Sequence, residues 1–227
     1  MLYLIATPIG NLDDLTRRAA DVLGRVRAVY CEDTRRTRIL LSRLNCSAPL
    51  LRYDDRDPRD EERILDRLAA GESIALVSDS GLPAISDPGR KLVAAARKLG
   101  LPVCALPGPC AAVTAVAGSG LPGDSFIFLG FLPRSPSKRR KALLEAAALR
   151  RTLVLYESPF RVLDLLSTAE ETLGPGAQAV VARELTKVHE EWLTGTVHSV
   201  REELERRGGA PGEYVVLLHP DEAPKAP

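Results

Sequence analysis

The sequence predicts an α/β fold made of two α/β domains. Short apolar runs alternate with amphipathic segments along the whole chain, as strands alternate with helices in α/β proteins. The length of 227 residues suggests one or two domains, at roughly 100–200 residues per domain. A change of composition past the middle of the chain indicates the connection between the two domains.

The strands are predicted where a short apolar run ends in a cluster of turn-forming residues. In the first half of the chain the predicted strands are 2–7, 28–32, 50–53, 73–78, 102–106 and 125–129. In the second half they are 152–157, 177–183, 191–196 and 214–219. Because helical segments separate many of these runs, we expect sheets in which most strands are parallel.

Helices and the domain boundary follow from the segments between the strands. Apolar residues at helical spacing predict helices over 61–69 and 160–173, and another helix is expected over 142–149. The segment 132–141, just before the helix 142–149, contains two prolines and two serines followed by a Lys-Arg-Arg-Lys run. This composition indicates an interdomain connection. We therefore predict an N-terminal domain 1–124, a C-terminal domain 125–219 and a disordered tail 220–227.

Charge and composition exclude several classes of protein. The 31 basic and 30 acidic residues leave a net charge of +1, so a polyanion can be bound only by a local patch. No apolar run approaches the roughly 18–20 residues that cross a bilayer, and the N-terminus lacks the basic region of a signal peptide. The cysteines and histidines have no metal-ligand spacing. A cytoplasmic protein without a bound metal is predicted.

Ligands of α/β sheets gather outside the carboxyl ends of the strands, so the turns there are candidate sites. The turn Thr7-Pro8-Ile9-Gly10 lacks the spacing of G-x-G-x-x-G and suits either a ligand contact or a plain turn. The next turn contains Glu32, Asp33, Arg35 and Arg36. Its acids can serve as general bases and its arginines can bind an anion. Alternatively, Asp33 or Thr34 caps the helix that runs to Leu44.

Two further turns carry small and acidic residues. The segment 77–89 is longer than the usual connection of about 2–6 residues, and it contains Asp79, which can accept hydrogen bonds from hydroxyl or ammonium groups. Gly81 permits close approach of the backbone, whereas Asp87 is expected to cap a helix that begins at Pro88. The segment 106–110 precedes a helix of small residues, which leaves room for a ligand or permits tight packing.

Two turns of the second domain combine a glutamate with an arginine. Glu157 is followed by Arg161, and Glu184 is preceded by Arg183. These pairs can face a common cleft, or they can pair locally on the surface. Exposed ion pairs contribute little to stability, so stability alone does not explain them.

Seven motifs occur together in this chain, and they carry a family resemblance. They are Thr-Pro-Ile-Gly-Asn-Leu, Glu-Asp-Thr-Arg, Val-Ser-Asp-Ser-Gly-x-Pro-x-x-Ser-Asp-Pro-Gly, Leu-Pro-Gly-Pro-Cys-Ala-Ala, Gly-Phe-Leu-Pro, Tyr-Glu-Ser-Pro-x-Arg and Ala-Arg-Glu-Leu-Thr-Lys. From Leu2 to Leu218 the chain closely resembles the ribosomal RNA small subunit methyltransferase I family, within the tetrapyrrole-methylase-like superfamily. Ser80 and Leu82 depart mildly from the family pattern. Members often continue into a helical C-terminal region, without which we expect a different mode of RNA docking.

The resemblance implies a function, a fold and a set of site residues. The function is S-adenosylmethionine-dependent 2′-O-methylation of a cytidine in the decoding region of 16S rRNA. The fold is of the class III, tetrapyrrole-methylase-like type, with the cofactor in a cleft between two α/β domains. The oligomeric state implied is a homodimer. The implied cofactor contacts are Pro8, Ser78, Asp79, Gly81, Ile85, Cys110, Ala111, Tyr156 and, more loosely, Leu185.

The remaining site residues are the proton acceptor and the RNA contacts. The acid of superfamily relatives that follows the second strand falls on Glu32, with Asp33 beside it as an alternative. Glu157 and Glu184 are further alternatives. The residues expected to hold phosphates of 16S rRNA or of the small ribosomal subunit are Arg35, Arg36, Lys138, Arg139, Arg140 and Lys141.

Two other functions stay open at this point. A methylase of a tetrapyrrole or other small molecule on the same fold would also use arginines to bind an acidic substrate. A ribosome assembly factor could keep the fold without catalysis. The motifs Glu-Asp-Thr-Arg and Tyr-Glu-Ser-Pro-x-Arg favour the rRNA enzyme, and the complete set of cofactor motifs argues against a protein that only binds.

Overall fold

The computed structural model describes residues 1–208 and 210–220. It divides into two compact units, residues 1–110 and the residues from 111 onward. Each unit contains one five-stranded sheet, which confirms the predicted class of two α/β domains. From residue 221 onward, the predicted tail lies outside the described residues. In the described part of the chain, no helix is both long and apolar enough to cross a membrane.

The first unit is a parallel α/β sheet. Its elements are β1 (Leu2–Ile5), a 3₁₀ helix (Leu12–Asp14), α1 (Arg17–Leu23), β2 (Ala28–Cys31), α2 (Thr34–Arg43), β3 (Leu50–Arg52), α3 (Pro58–Ala69), β4 (Ile74–Val77), α4 (Arg90–Lys98) and β5 (Val103–Ala105). The strand order is β3-β2-β4-β1-β5, and every neighbouring pair is parallel. All five carboxyl ends therefore lie at one edge of this sheet.

Helices cover both faces of the first sheet. Strands β2 and β4 are buried at every position, as expected for parallel strands between two helical layers. Alternate residues point to opposite faces. Tyr30 and Leu76 pack with residues of α3 and α4, while Val29 and Val77 pack with residues of α1 and α2. This packing fixes the ends of the strands, where the candidate site lies.

The second unit has a mixed sheet. Its elements are α5 (Ala111–Ser119), β6 (Phe126–Phe131), α6 (Pro136–Ala147), β7 (Thr152–Glu157), α7 (Val162–Leu173), β8 (Gln178–Arg183), β9 (Glu191–Thr196), α8 (Val197–Arg206) and β10 (Tyr214–His219). The strand order is β6-β7-β10-β8-β9. Only the β6–β7 pair of this sheet is parallel, and the other three pairs are antiparallel.

The prediction of mostly parallel strands is therefore right for the first unit and wrong for the second. The segment 184–190 between β8 and β9 carries no helix, and such a short connection joins antiparallel strands. Strand β10 lies between β7 and β8 and runs against both of them. Consequently β6, β7 and β8 run in one direction, and their carboxyl ends lie at one edge of the second sheet.

The chain segment that leads from the first sheet to the second differs from the predicted interdomain connection. Helix α6 begins at Pro136, so the basic run 138–141 lies in the first turns of a helix and not in a linker. The compact units divide after Cys110, before the predicted boundary at 124/125. The reason is that α5 packs against β7 and β10 of the second sheet.

Helix α5 also lies close to β9 at one glycine. A Cβ atom built at Gly118 would lie 2.7 Å from Cη2 of the Trp192 indole, which is closer than such atoms approach in proteins. The absence of a side chain at position 118 thus allows the indole to lie against the helix.

Candidate functional site

Two neighbouring turns of the first sheet are tied together. The Thr7 N–H donates to the Gly81 carbonyl at 2.9 Å, and the Gly81 N–H donates to the Thr7 carbonyl at 3.0 Å. The Thr7 hydroxyl donates to the carbonyl of Ser78 at 3.0 Å. Gly81 has a φ of +84°, which residues with a side chain rarely adopt. Residues Pro8, Ser78 and Gly81 are therefore held together at the carboxyl ends of β1 and β4.

Asp79 connects this pair of turns to the end of β2. Its Oδ1 accepts a hydrogen bond from the Asp33 N–H at 3.2 Å. Its Oδ2 accepts no hydrogen bond from the described residues. A half-buried carboxylate with one free oxygen can accept hydrogen bonds from a hydroxyl or an ammonium group. This is the chemistry that the sequence predicts for Asp79.

Asp33 is the N-cap of α2. Its side chain accepts the N–H of Arg35 at 2.9 Å, which confirms the capping alternative for Asp33. The Arg35 guanidinium donates to both carboxylate oxygens, from Nε at 3.0 Å and from Nη2 at 2.8 Å. These side-chain hydrogen bonds, followed by the backbone one, hold the pKa of Asp33 well below its usual value. Asp33 is therefore a weak proton acceptor.

Glu32 has different surroundings. It is exposed at the end of β2, and its carboxylate makes no hydrogen bond or ion pair with any residue that the structure describes. It lines an open depression of about 390 Å³, whose lining residues are Glu32, Asp33, Thr34, Arg35, Arg52 and Asp79. Of the two adjacent acids, Glu32 is the one free to accept a proton.

Asp87 does not cap a helix, contrary to the sequence prediction. Helix α4 begins after Gly89, whose φ is +123°, and a Cβ atom there would lie 2.6 Å from Cδ2 of Leu76. Asp87 instead folds back, and its Oδ2 accepts a hydrogen bond from the Ser78 hydroxyl at 3.1 Å. Burial raises the pKa of Asp87 to about 6 against the opposing effect of the Ser78 hydrogen bond, and the charge of Glu32 adds to the rise.

Ser78 is thus the centre of a small network that sequence reasoning did not find. The Ser80 N–H donates to the Ser78 hydroxyl at 3.1 Å. Ala84 and Ser86 take positive φ angles of 69° and 60°, which are unusual for residues with a side chain. The only sequence signal was the unusual length of this turn. Ile85 lies between them and is 40% exposed.

Of the remaining predicted cofactor contacts, Ala111 lies on α5, Tyr156 on β7 and Leu185 in the turn after β8. Ala111 begins α5, and the N–H of Ala112 donates to the Tyr156 hydroxyl at 3.1 Å. The Tyr156 ring also contacts the ring of Phe131, with centroids 5.7 Å apart. Leu185 is buried. Cys110, the last residue of the first unit, is partly exposed.

Glu157 and Glu184 are bound to local partners. The Glu157 side chain is fully buried and lies 3.2 Å from Arg161, and it also accepts the Ser158 N–H at 2.9 Å. The Glu184 carboxylate accepts from Nζ of Lys187 at 2.8 Å and from the Glu213 N–H at 2.8 Å. Glu157 and Arg161 thus form the local pair that the sequence left open. Glu184 does not pair with Arg183, which lies 3.4 Å from Glu191 instead.

The predicted phosphate contacts differ in their exposure. Arg36, Lys138, Arg140 and Lys141 are exposed. The prediction is wrong for Arg139, which is buried and donates from Nε to the Thr168 hydroxyl at 3.0 Å. Its helical position turns it toward α7 and away from solvent.

Comparison with known proteins identifies the family. The family model of tetrapyrrole (corrin/porphyrin) methylases matches residues 1–201. Ribosomal RNA small subunit methyltransferase I of Hydrogenobaculum sp. (strain Y04AAS1) is 44% identical over 221 residues, which cover 96% of this chain and 94% of that protein. The chain belongs to the tetrapyrrole methylases and, within them, to the ribosomal RNA small subunit methyltransferase I family. This confirms the resemblance found in the motifs.

Solved structures share the fold. The methyltransferase CobJ has a TM-score of 0.73 at 20% sequence identity, covering 100% of this chain and 96% of that chain. A uroporphyrin-III C-methyltransferase from Thermus thermophilus, complexed with S-adenosylhomocysteine, has a TM-score of 0.62 at 18% identity. The match covers 95% of this chain and 96% of that chain.

Proposed function

We propose that this protein transfers the methyl group of S-adenosylmethionine to the 2′-hydroxyl of a cytidine in the decoding region of 16S rRNA. The observation that carries the proposal is the unpartnered carboxylate of Glu32 beside the half-free carboxylate of Asp79, in one depression of the first unit. The name of the Hydrogenobaculum relative supports small-subunit rRNA as the substrate. The Thermus thermophilus complex with S-adenosylhomocysteine supports the cofactor.

The residues at the end of β4 fit S-adenosylmethionine. Asp79 has a free oxygen for a hydroxyl or ammonium group, Gly81 leaves its backbone uncovered by a side chain, and Ile85 offers apolar surface. The full set of proposed contacts is Pro8, Ser78, Asp79, Gly81, Ile85, Cys110, Ala111, Tyr156 and Leu185. When bound, S-adenosylmethionine supplies a methyl group that its sulfonium already activates, so the protein must mainly align the reactants.

Glu32 accepts the proton of the reacting 2′-hydroxyl. A general base needs a free lone pair within reach of the proton that it removes. Glu32 offers one because no described residue occupies its carboxylate. Asp33 does not, since Arg35 donates hydrogen bonds to both of its oxygens.

Exposed cations hold the RNA. The proposed phosphate contacts are Arg35, Arg36, Lys138, Arg140 and Lys141. At a net charge of +1, the affinity for RNA depends on these local charges.

The rRNA substrate supports a cytoplasmic location. A homodimer is proposed on the family resemblance, and its mass is measurable by light scattering.

The proposed function is tested by methyl incorporation. Purified protein and labelled S-adenosylmethionine are incubated with small ribosomal subunits, with naked 16S rRNA and with a uroporphyrinogen. Mass spectrometry of nuclease fragments then locates the methyl group. We expect one 2′-O-methylcytidine in the decoding region. Label only in the tetrapyrrole would identify a small-molecule methylase, and subunit binding without label would identify an assembly factor.

A further inference from the structure

Exposed aromatic side chains mark one edge of the second sheet. Phe160, in the turn after β7, is 93% exposed, and Phe131, at the end of β6, is 57% exposed. Strands β6 and β7 are parallel neighbours, and Phe131 is in register with Tyr156. The two phenylalanines therefore follow adjacent carboxyl ends of the same sheet.

The turn that carries Phe160 is held in place by hydrogen bonds and an ion pair. The carbonyl of Ser158 accepts the N–H groups of Arg161 and Val162, both at 3.1 Å. The buried carboxylate of Glu157 accepts the N–H of Ser158 and lies beside the guanidinium of Arg161. The exposed ring thus stands on a turn closed by hydrogen bonds on both sides of it, which is the preorganisation that a binding residue needs.

The same turn is joined to a basic segment. The Arg161 guanidinium donates to the carbonyl of Leu132 at 2.9 Å. Two residues further along the chain lies Arg134, and Lys138 follows in the first turn of α6. Both are exposed, and neither forms an ion pair with a described residue. In the segments 132–138 and 157–161, the only acid is Glu157, which is buried.

We propose that Phe131, Arg134, Lys138 and Phe160 form a docking surface for single-stranded RNA, in which an unpaired base stacks on Phe160. This inference rests on the proposed function and names the residues that receive unpaired nucleotides of the substrate. Proteins bind single-stranded nucleic acid by stacking bases on aromatic rings while cations hold the phosphates. A second copy of this chain fits the surface less well. In a symmetric interface the patch meets itself, which would bring Arg134 and Lys138 near their own counterparts.

The test measures RNA binding by Phe160 variants. Fluorescence anisotropy with labelled oligocytidylate gives the Kd for Phe160→Ala, Phe160→Trp and the parent. Base stacking on an aromatic side chain is worth about 1–3 kcal/mol, so we expect Phe160→Ala to bind about tenfold more weakly. Phe160→Trp should bind at least as well as the parent. Leu149→Ala is the matched control, because Leu149 is also exposed but follows the other end of α6.

Several outcomes would overturn the inference. Parental affinity in Phe160→Ala, or an equal loss in Leu149→Ala, would show that no base stacks on this ring. Conversion of a dimer to a monomer by Phe160→Ala, seen by light scattering, would assign the surface to a second copy. If Phe160→Ala loses affinity for oligocytidylate but the parent methylates no rRNA, the proposed function fails and the docking surface stands.

Discussion

Asp33 and Arg35 form a two-point contact in which both carboxylate oxygens accept hydrogen bonds from the guanidinium, at 3.0 and 2.8 Å. The backbone N–H of Arg35 adds a third hydrogen bond at 2.9 Å. The adjacent Glu32 has no such partner among the described residues. Two neighbouring acids of the same motif therefore differ in chemistry, because one closes the first turn of a helix and the other faces solvent.

We expect Glu32→Gln to reduce methyl transfer about 10²–10⁴-fold, the usual effect of losing a general base. S-adenosylmethionine binding should not change, since glutamine keeps the size of the side chain. Asp33→Asn is the matched control, because asparagine also caps helices well, and it should keep most of the activity. Rates are measured under single-turnover conditions. A large loss in Asp33→Asn with little loss in Glu32→Gln would assign proton transfer to Asp33.

Asp79→Ala should weaken S-adenosylmethionine binding about tenfold, since a hydrogen bond to a charged group is worth about 1.5–3 kcal/mol. Ala111→Trp should weaken it as well by filling space at the start of α5. Titration calorimetry measures both effects. Asp66→Ala, at an exposed position of α3, serves as the control for charge. Unchanged affinity in both test variants would show that the cofactor binds elsewhere.

Replacing Lys138, Arg140 and Lys141 with alanine should weaken RNA binding and reduce its salt dependence. Each lost phosphate contact lowers the slope of log K against log salt by about 0.7–0.9. Arg139→Ala should act on the fold instead, because it removes a buried hydrogen bond to Thr168, and we expect it to lower the free energy of unfolding by about 1–3 kcal/mol. An unchanged salt slope in the triple variant would mean that these three side chains contact solvent and not the phosphates of RNA.

Asp87 should give the protein a pH-dependent stability. Its pKa rises from 3.8 to about 6 on folding, so between these values the folded state holds a proton that the unfolded state releases. The contribution of Asp87 therefore falls as pH rises through this window. Urea unfolding of Asp87→Asn and the parent from pH 4 to pH 8 should show a difference that favours the variant increasingly up to about pH 6. A difference that stays constant with pH would contradict the buried state of Asp87.

Arg161→Ala should lower the free energy of unfolding by about 3–5 kcal/mol, because it leaves the buried carboxylate of Glu157 without its cation. Glu157→Gln combined with Arg161→Ala removes that charge and should recover part of the loss. Denaturant unfolding of the single and double variants measures this coupling. Equal stability of the two variants would mean that burial of the charge carries no penalty here.

The sequence predicts most of the secondary structure because buried strands are short apolar runs with turn-forming residues at their ends. It does not predict the direction of β10, since strand pairing depends on contacts between distant segments. The sequence does not predict the role of Asp87 either, because its hydrogen-bond partner Ser78 lies on the other side of a folded turn. Arg139 could have been found. It precedes Leu143 by four residues and Ala146 by seven, which is the spacing of one helix face, and both of those residues are buried.

The contact between Gly118 and Trp192 restricts how this protein can diverge. Alanine at position 118 would collide with the indole, so such a change becomes acceptable only after position 192 has accepted a smaller side chain. A smaller residue at 192 leaves a void that a later substitution at 118 can fill. The two positions should consequently change together during evolution, and a library that randomises position 118 alone should return almost only glycine.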